Sequence, residues 1–219
     1  MRRNFAVLLA AAAFLPGTLR GQGLRFTADA FGSQEIVQSH DDAALIPSFN
    51  RYTGLLLGGE GNLISERFVA RLRYAQGRVT ARSDTGVVGR DLVEGEALLG
   101  VRAMPWLTLW AGPTARAYTT PDGDQRWLLW TARASARGTL MPGRMQTYLE
   151  LWGALSGNVA NPAEKAGGRG ADVGLEMRLG GEQSPLWGRL GYRIDSGHAD
   201  GLRETVEAVT LSIVYGFPQ

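Results

Sequence analysis

From Glu204 to Phe217 the chain alternates: Val209, Leu211, Ile213, Tyr215 and Phe217 take one parity, while Thr210, Ser212 and Gly216 take the other, broken only by Val214. A period of two is the signature of a β-strand whose two faces meet different surroundings. Here one face is wholly apolar and ends in aromatics. A strand of that kind fits a closed sheet that turns its apolar side to lipid and its polar side inward.

The same alternation recurs upstream. Phe26, Ala28 and Ala30 oppose Arg25, Thr27 and Asp29 in a first strand expected over 24–31. Phe68, Ala70, Leu72 and Tyr74 oppose Arg71 and Arg73; Val93, Ala97, Leu99 and Val101 oppose Glu94, Glu96 and Arg102. Leu107, Leu109 and Ala111 oppose Thr108, Trp110, Thr114 and Arg116. Leu128, Trp130, Ala132, Ala134 and Ala136 oppose Thr131, Arg133, Ser135 and Arg137. Thr147, Leu149, Leu151 and Leu155 oppose Tyr148, Glu150, Trp152 and Ser156. Ala171, Val173, Leu175, Met177 and Leu179 oppose Asp172, Glu176 and Arg178, and Leu190, Tyr192 and Ile194 oppose Arg189, Arg193 and Asp195. A glycine-rich segment over 52–59, with leucines at 55, 56 and 57, completes ten.

The connections alternate as well. Short stretches marked by Gly or Pro (59–62, 103–106, 141–144 and 180–185) follow the even strands. Long polar stretches (32–50, 77–90, 119–125, 157–168 and 196–203) follow the odd ones. Short turns on one side and long loops on the other predict an up-and-down antiparallel transmembrane barrel, all-β, of about ten strands, with eight as the fallback. The chain resembles the small outer-membrane β-barrel proteins of bacteria, which carry a signal peptide and finish on an aromatic strand; Pro218 and Gln219 extend beyond that pattern here.

The N-terminus agrees. Met1-Arg-Arg-Asn4 precedes an apolar run from Phe5 to Leu15, then Pro16 and Gly17, which reads as a secretory signal peptide. The expected division is residues 1–21 as leader, cleaved after Gly21 or Gly23, and 22–219 as barrel. Removing Arg2, Arg3 and Arg20 with the leader takes the 23 basic side chains to 20 against 21 acidic ones. The high isoelectric point is then no argument for nucleic acid. The chain has no cysteine, so disulfides, thiolate metal sites and a lipid-anchored cysteine are excluded. The expected partners are the outer-membrane bilayer and the barrel-assembly machinery.

The inward face is expected to hold Arg71, Arg73, Glu94, Glu96, Arg102, Arg116, Arg133, Arg137, Glu150, Asp172, Glu176, Arg178, Arg189 and Arg193, with Asp195. Mixed charge at this density fits a lumen filled by its own ion pairs, because an unpaired buried charge is costly. The protein would then act structurally or through its surface loops. Nine arginines against six acids also fit a narrow anion-preferring pore.

A third reading is a hydrolase at the rim. The two histidines lie in His40-Asp41-Asp42 and near Asp200, and either could activate water with a neighbouring carboxylate. The omptin proteases are similar in strand count and in their loop Asp and His, but no motif carries over residue by residue. The outer-membrane lipid A deacylases and phospholipases use His-x-Ser, against Ser196-Gly-His198 here. The glycine runs lack a P-loop lysine, Asp122-Gly-Asp124 and Asp41-Asp42 offer weak calcium oxygens at most, and no cofactor or metal is expected. Trp106, Trp187, Tyr215 and Phe217 on one rim, and Tyr74, Trp127 and Trp130 on the other, read as interface girdles.

Overall fold

A computed structural model describes residues 24–41, 48–83, 86–120, 123–160 and 164–216. The ten strands are β1 (Arg25–Asp41), β2 (Ser48–Ile64), β3 (Phe68–Ser83), β4 (Gly86–Met104), β5 (Leu107–Thr120), β6 (Gly123–Met141), β7 (Met145–Ala160), β8 (Glu164–Arg178), β9 (Leu186–Ala199) and β10 (Leu202–Tyr215). Each pairs antiparallel with its neighbours, and β1 pairs with β10, so the sheet closes without an edge. The leader, Asp42 and Phe217 lie outside the described residues.

The apolar parity faces outward. Leu99 is 73% exposed, Leu211 68% and Leu72 62%, and Leu149 and Leu175 also stand on the outer surface. On the opposite parity Glu35 and Glu176 are fully buried. A water-soluble barrel would show the reverse. Only lipid around the outside makes this distribution favourable, and a basic residue placed in the belt should be costly. Leu211→Arg is expected to destabilise the folded barrel by about 2–4 kcal/mol in lipid vesicles, whereas Gln38→Arg, beyond the belt beside Thr205 and Arg51, should leave stability unchanged. Equilibrium urea titration into vesicles measures both.

The strands run 14 to 19 residues, well past the ~9–11 that cross a bilayer. A 17-residue strand tilted by about 40° rises roughly 40 Å, against an apolar band of about 25 Å. The excess lies at the end away from the chain termini. There the connections are short: only 42–47, 84–85, 121–122, 161–163 and 200–201 separate the strands. The Asp200-Gly201 link is a two-residue hairpin, with Ala199 opposite Leu202 and Gly201 at φ 72°. The long loops expected over 32–50, 77–90, 157–168 and 196–203 are therefore mostly strand.

Their polarity has a physical cause. Beyond the bilayer the outer face meets water, and the alternation changes phase. On β3, Leu72 and Tyr74 point out below, with Arg71 and Arg73 inside; higher up Arg78 is outside, with Ala75 and Val79 buried within. On β4, Leu99 faces out below and Leu92 faces in above. One residue breaks the rhythm elsewhere: Trp130 pairs with Ser156 and Thr131 with Ala154, which leaves Leu155 bulged, so both Leu155 and Ser156 are exposed. Ser156 therefore does not join the inward face as expected. Trp127 and Trp187 are likewise buried inside the barrel, not placed in a lipid girdle.

Candidate functional site: the charged lumen and its apolar cap

Three layers fill the interior. Nearest the termini, Ile64, Val69, Leu98 and Trp110 pack together, with Trp187 against Val214 beside them. Arg71 lies over the Trp110 ring at 4.4 Å and Arg178 over Trp187 at 5.0 Å. Strand alternation delivers these side chains inward, and the guanidinium planes cover the rings.

The middle layer is ionic. Glu150 on β7 accepts from Arg71 (2.9 Å), from Arg133 (3.1 Å) and from the Ser135 hydroxyl. Arg133 also reaches Glu96 at 2.6 Å and donates to the Thr114 hydroxyl at 2.8 Å, and Glu60 lies 3.7 Å from Arg71. Arg193 on β9 contacts Glu35 (2.9 Å), Glu94 (3.0 Å) and Asp195 (3.3 Å). Arg116 on β5 joins Glu94, Asp195 (3.3 Å) and Glu204 (3.1 Å). Arg189 binds Asp29 and Glu176, each at 2.9 Å, while the Tyr148 hydroxyl donates to Asp172 at 2.9 Å. Arg137 stands 3.9 Å from Glu176. Arg73 covers the Phe31 ring at 4.6 Å, and Arg102 sits half-buried toward the terminal mouth.

Several of these pairs cross the lumen from wall to wall. β4 and β9 are five strands apart in a ring of ten, so the Arg193–Glu94 contact spans the barrel; Arg116–Glu204 joins β5 to β10 in the same way. Between these side chains lies a cavity of about 130 Å³ among residues including Arg73, Glu94, Trp152, Asp172 and Arg193.

Above this lies an apolar cap. Val37, Tyr52, Leu56, Val79, Leu92, Tyr118, Val159 and Val206 form one buried cluster with Phe31, Ala75 and Trp127. The Tyr118 hydroxyl donates to Glu204 at 2.8 Å, tying cap to network.

Asp29, Glu35, Glu60 and Glu204 join the network beyond the acids expected from sequence. Glu35 and Glu60 fall in stretches that read as connections, although Asp29 already showed its parity. With these four the acids number ten, and Arg90, stacked at 4.4 Å on the buried Tyr52 ring, brings the arginines to ten, so the two signs come close to balance and the cationic excess that suggested anion preference is lost.

The rim histidines face outward. His40 lies opposite Arg203, and Arg203 opposite His198, so the two imidazoles flank an arginine on the outer wall. The His40 ring packs on Phe49 with centroids 5.9 Å apart. Asp200 is exposed in its hairpin, and nothing is described of the Asp41 side chain. Among the described residues no cluster of His, Asp and Glu has the grouping of a metal site.

No protein-family model and no curated protein sequence matches the chain. Among solved structures it is similar to the outer-membrane protease OmpT from Escherichia coli, with 9% identity and TM-score 0.53 over 88% of this chain and 97% of that one. It also aligns with the translocator domain of the autotransporter NalP from Neisseria meningitidis, at 12% identity and TM-score 0.47, covering 96% and 93% of the two chains. An outer-membrane channel from Pseudomonas putida F1 aligns at 12% and 0.48, over 92% and 99%. The likeness to the protease is one of fold. With the outward belt and the closed ladder, it makes this chain a ten-stranded transmembrane β-barrel of the bacterial outer-membrane type.

Proposed function

We propose that this protein is a non-conducting barrel of the bacterial outer membrane, structural in its wall and interactive at its outer rim. The observation that carries the reading is the pair of wall-to-wall contacts, Arg193–Glu94 and Arg116–Glu204, lying beneath an apolar cap. Ions would have to break buried charge pairs and then cross a layer packed mainly with aliphatic side chains and aromatic rings. The wide, water-filled lumen of the large porins is the contrasting case.

The rim differs from the sequence-based picture of long loops. Contact with a partner falls to the projecting strand ends, whose outward residues are mostly polar, with Phe49 and Val87 as exposed apolar exceptions. Leader removal within residues 1–23 and insertion by the assembly machinery belong to the same proposal.

Single-channel recording in planar bilayers tests it. The purified, folded chain is expected to give no current steps across applied voltages. Reproducible unitary conductance from the wild type would overturn the sealed-lumen reading and restore the pore.

A further inference from the structure

The outward cations near the far rim are unevenly distributed. On one side they have acidic company: Arg126 pairs with Asp124 at 3.0 Å, and Arg78 lies opposite Asp91 in the ladder. On β8 to β10 they do not. Lys165, Arg169, His198 and Arg203 are all exposed on the outer wall, and none makes an ion pair among the described residues.

The ladder gathers these four. Gly167 faces His198, which faces Arg203, while Lys165 and Arg169 stand two residues either side of Gly167 on the same face. They occupy roughly 10 Å across the strands and 13 Å along them. Glycine at 167 keeps the centre open: a Cβ there would lie 2.7 Å from the His198 ring, so the imidazole lies flat across β8. The β7 bulge falls opposite, between the pairs Gly153–Arg169 and Asn158–Lys165, and bends the wall at this height. Among the described side chains the nearby acids are Asp200 in the hairpin and Glu207, which already accepts from the Tyr192 hydroxyl at 3.3 Å.

Directly below, on the same three strands, lie Val173, Leu175, Tyr192, Ile194, Val209 and Leu211 of the lipid-facing belt. A cationic patch continuous with an apolar column matches a molecule that has both phosphate and acyl chains. We propose that the outer face of β8–β10 binds the phosphorylated head group of a lipid in the surrounding outer leaflet, with its chains against the column beneath. Three flexible cations and an imidazole meet phosphate oxygens through charge-assisted hydrogen bonds. On β3 and β6 the outward cations Arg78 and Arg126 each have an acidic neighbour instead.

The inference rests on the bilayer position proposed above, and the experiment separates the two. The full folded chain in neutral detergent micelles is titrated with lipid A, a bisphosphorylated glycolipid, and bound species are read by native mass spectrometry. At roughly fivefold per surface cation, the variant Lys165→Ala/Arg169→Ala/Arg203→Ala should bind about 100-fold more weakly. Arg78→Ala/Arg126→Ala should stay within about twofold, since each of those cations already has an acidic neighbour. Wild type should lose most of its affinity for lipid A stripped of both phosphates. Folding of each variant is checked by its gel migration before and after boiling. Undiminished binding by the folded triple variant, or equal binding of the dephosphorylated lipid, overturns the inference. Wild type that inserts into vesicles but ignores lipid A removes this inference alone; wild type that fails to insert removes the membrane reading.

Discussion

Glu150→Ala is expected to destabilise the barrel by about 3–5 kcal/mol, among the largest effects of any single substitution. Glu150 is 7% exposed and accepts from Arg133 on the neighbouring β6 and from Arg71 on β3 across the lumen, as well as from Ser135. Its removal leaves Arg71 and Arg133 to share Glu96, with Glu60 at 3.7 Å from Arg71. The loss is then mostly uncompensated charge, not missing contact area. That distinction is measurable. Glu150→Gln keeps the shape and an acceptor for Ser135, so it should fall between wild type and Glu150→Ala. Replacing the trio together (Arg71→Met, Arg133→Met, Glu150→Leu) removes the stranded charges and should recover most of the loss. The exposed pair Arg144–Glu182 in the turn over 142–144 and 179–185 serves as the control, where Glu182→Ala should change nothing measurable. Urea titrations followed by tryptophan fluorescence give all four values. A Glu150→Ala variant as stable as wild type would mean that the ionic layer does not hold the walls together.

Much of this architecture is legible without coordinates, for a physical reason. Within the bilayer both neighbours of the wall are uniform, lipid outside and a polar lumen inside. Strands such as β8 and β10 therefore print the environment straight into their parity, and Leu175 or Leu211 can be assigned a face from sequence. Glu94, Glu96, Glu150 and Glu176 follow by the same rule. What parity cannot give is which arginine meets which acid. Arg193 reaches Glu94 only because ten strands close into a ring and bring β9 across from β4.

The stretches that misled share one location. Between 32 and 41, Ser33, Gln34, Glu35, Gln38 and Ser39 read by composition as a loop, yet they continue β1 from the upper belt to above the membrane. Water replaces lipid outside, so polar residues move to the outer face and Val37 turns inward. A single apolar-out rule applied along the whole strand fails at that crossing. Glu35 keeps the inward parity of Asp29 and is missed only because its stretch reads as a connection, and its role as partner of Arg193 goes with it. The rim histidines fail for a related reason: their neighbourhood across β10 is right, but the parity of β1 and β9 turns both rings outward, away from the lumen's carboxylates.

The leucine triplet on β2 isolates the change of phase within one residue type. Leu56 is fully buried in the cap, while Leu55 and Leu57 are 54% and 58% exposed on the outer wall. Leu56→Ala is expected to cost about 2–5 kcal/mol, because it opens a void among Val79, Leu92 and Tyr52 that the rigid ring cannot collapse to fill. Leu55→Ala and Leu57→Ala, near the upper edge of the belt where mobile acyl chains and interfacial water refill the space, should each cost under about 1 kcal/mol. Three alanine variants measured by the same urea titration in lipid vesicles decide it. Equal losses at 55, 56 and 57 would mean that β2 does not alternate and that the glycine-rich segment slides in register. A loss concentrated at 56 would establish that this end of the barrel is closed by packed hydrocarbon. In that case Leu56→Ala, by thinning the cap alone, is also the variant in which leak conductance should first appear.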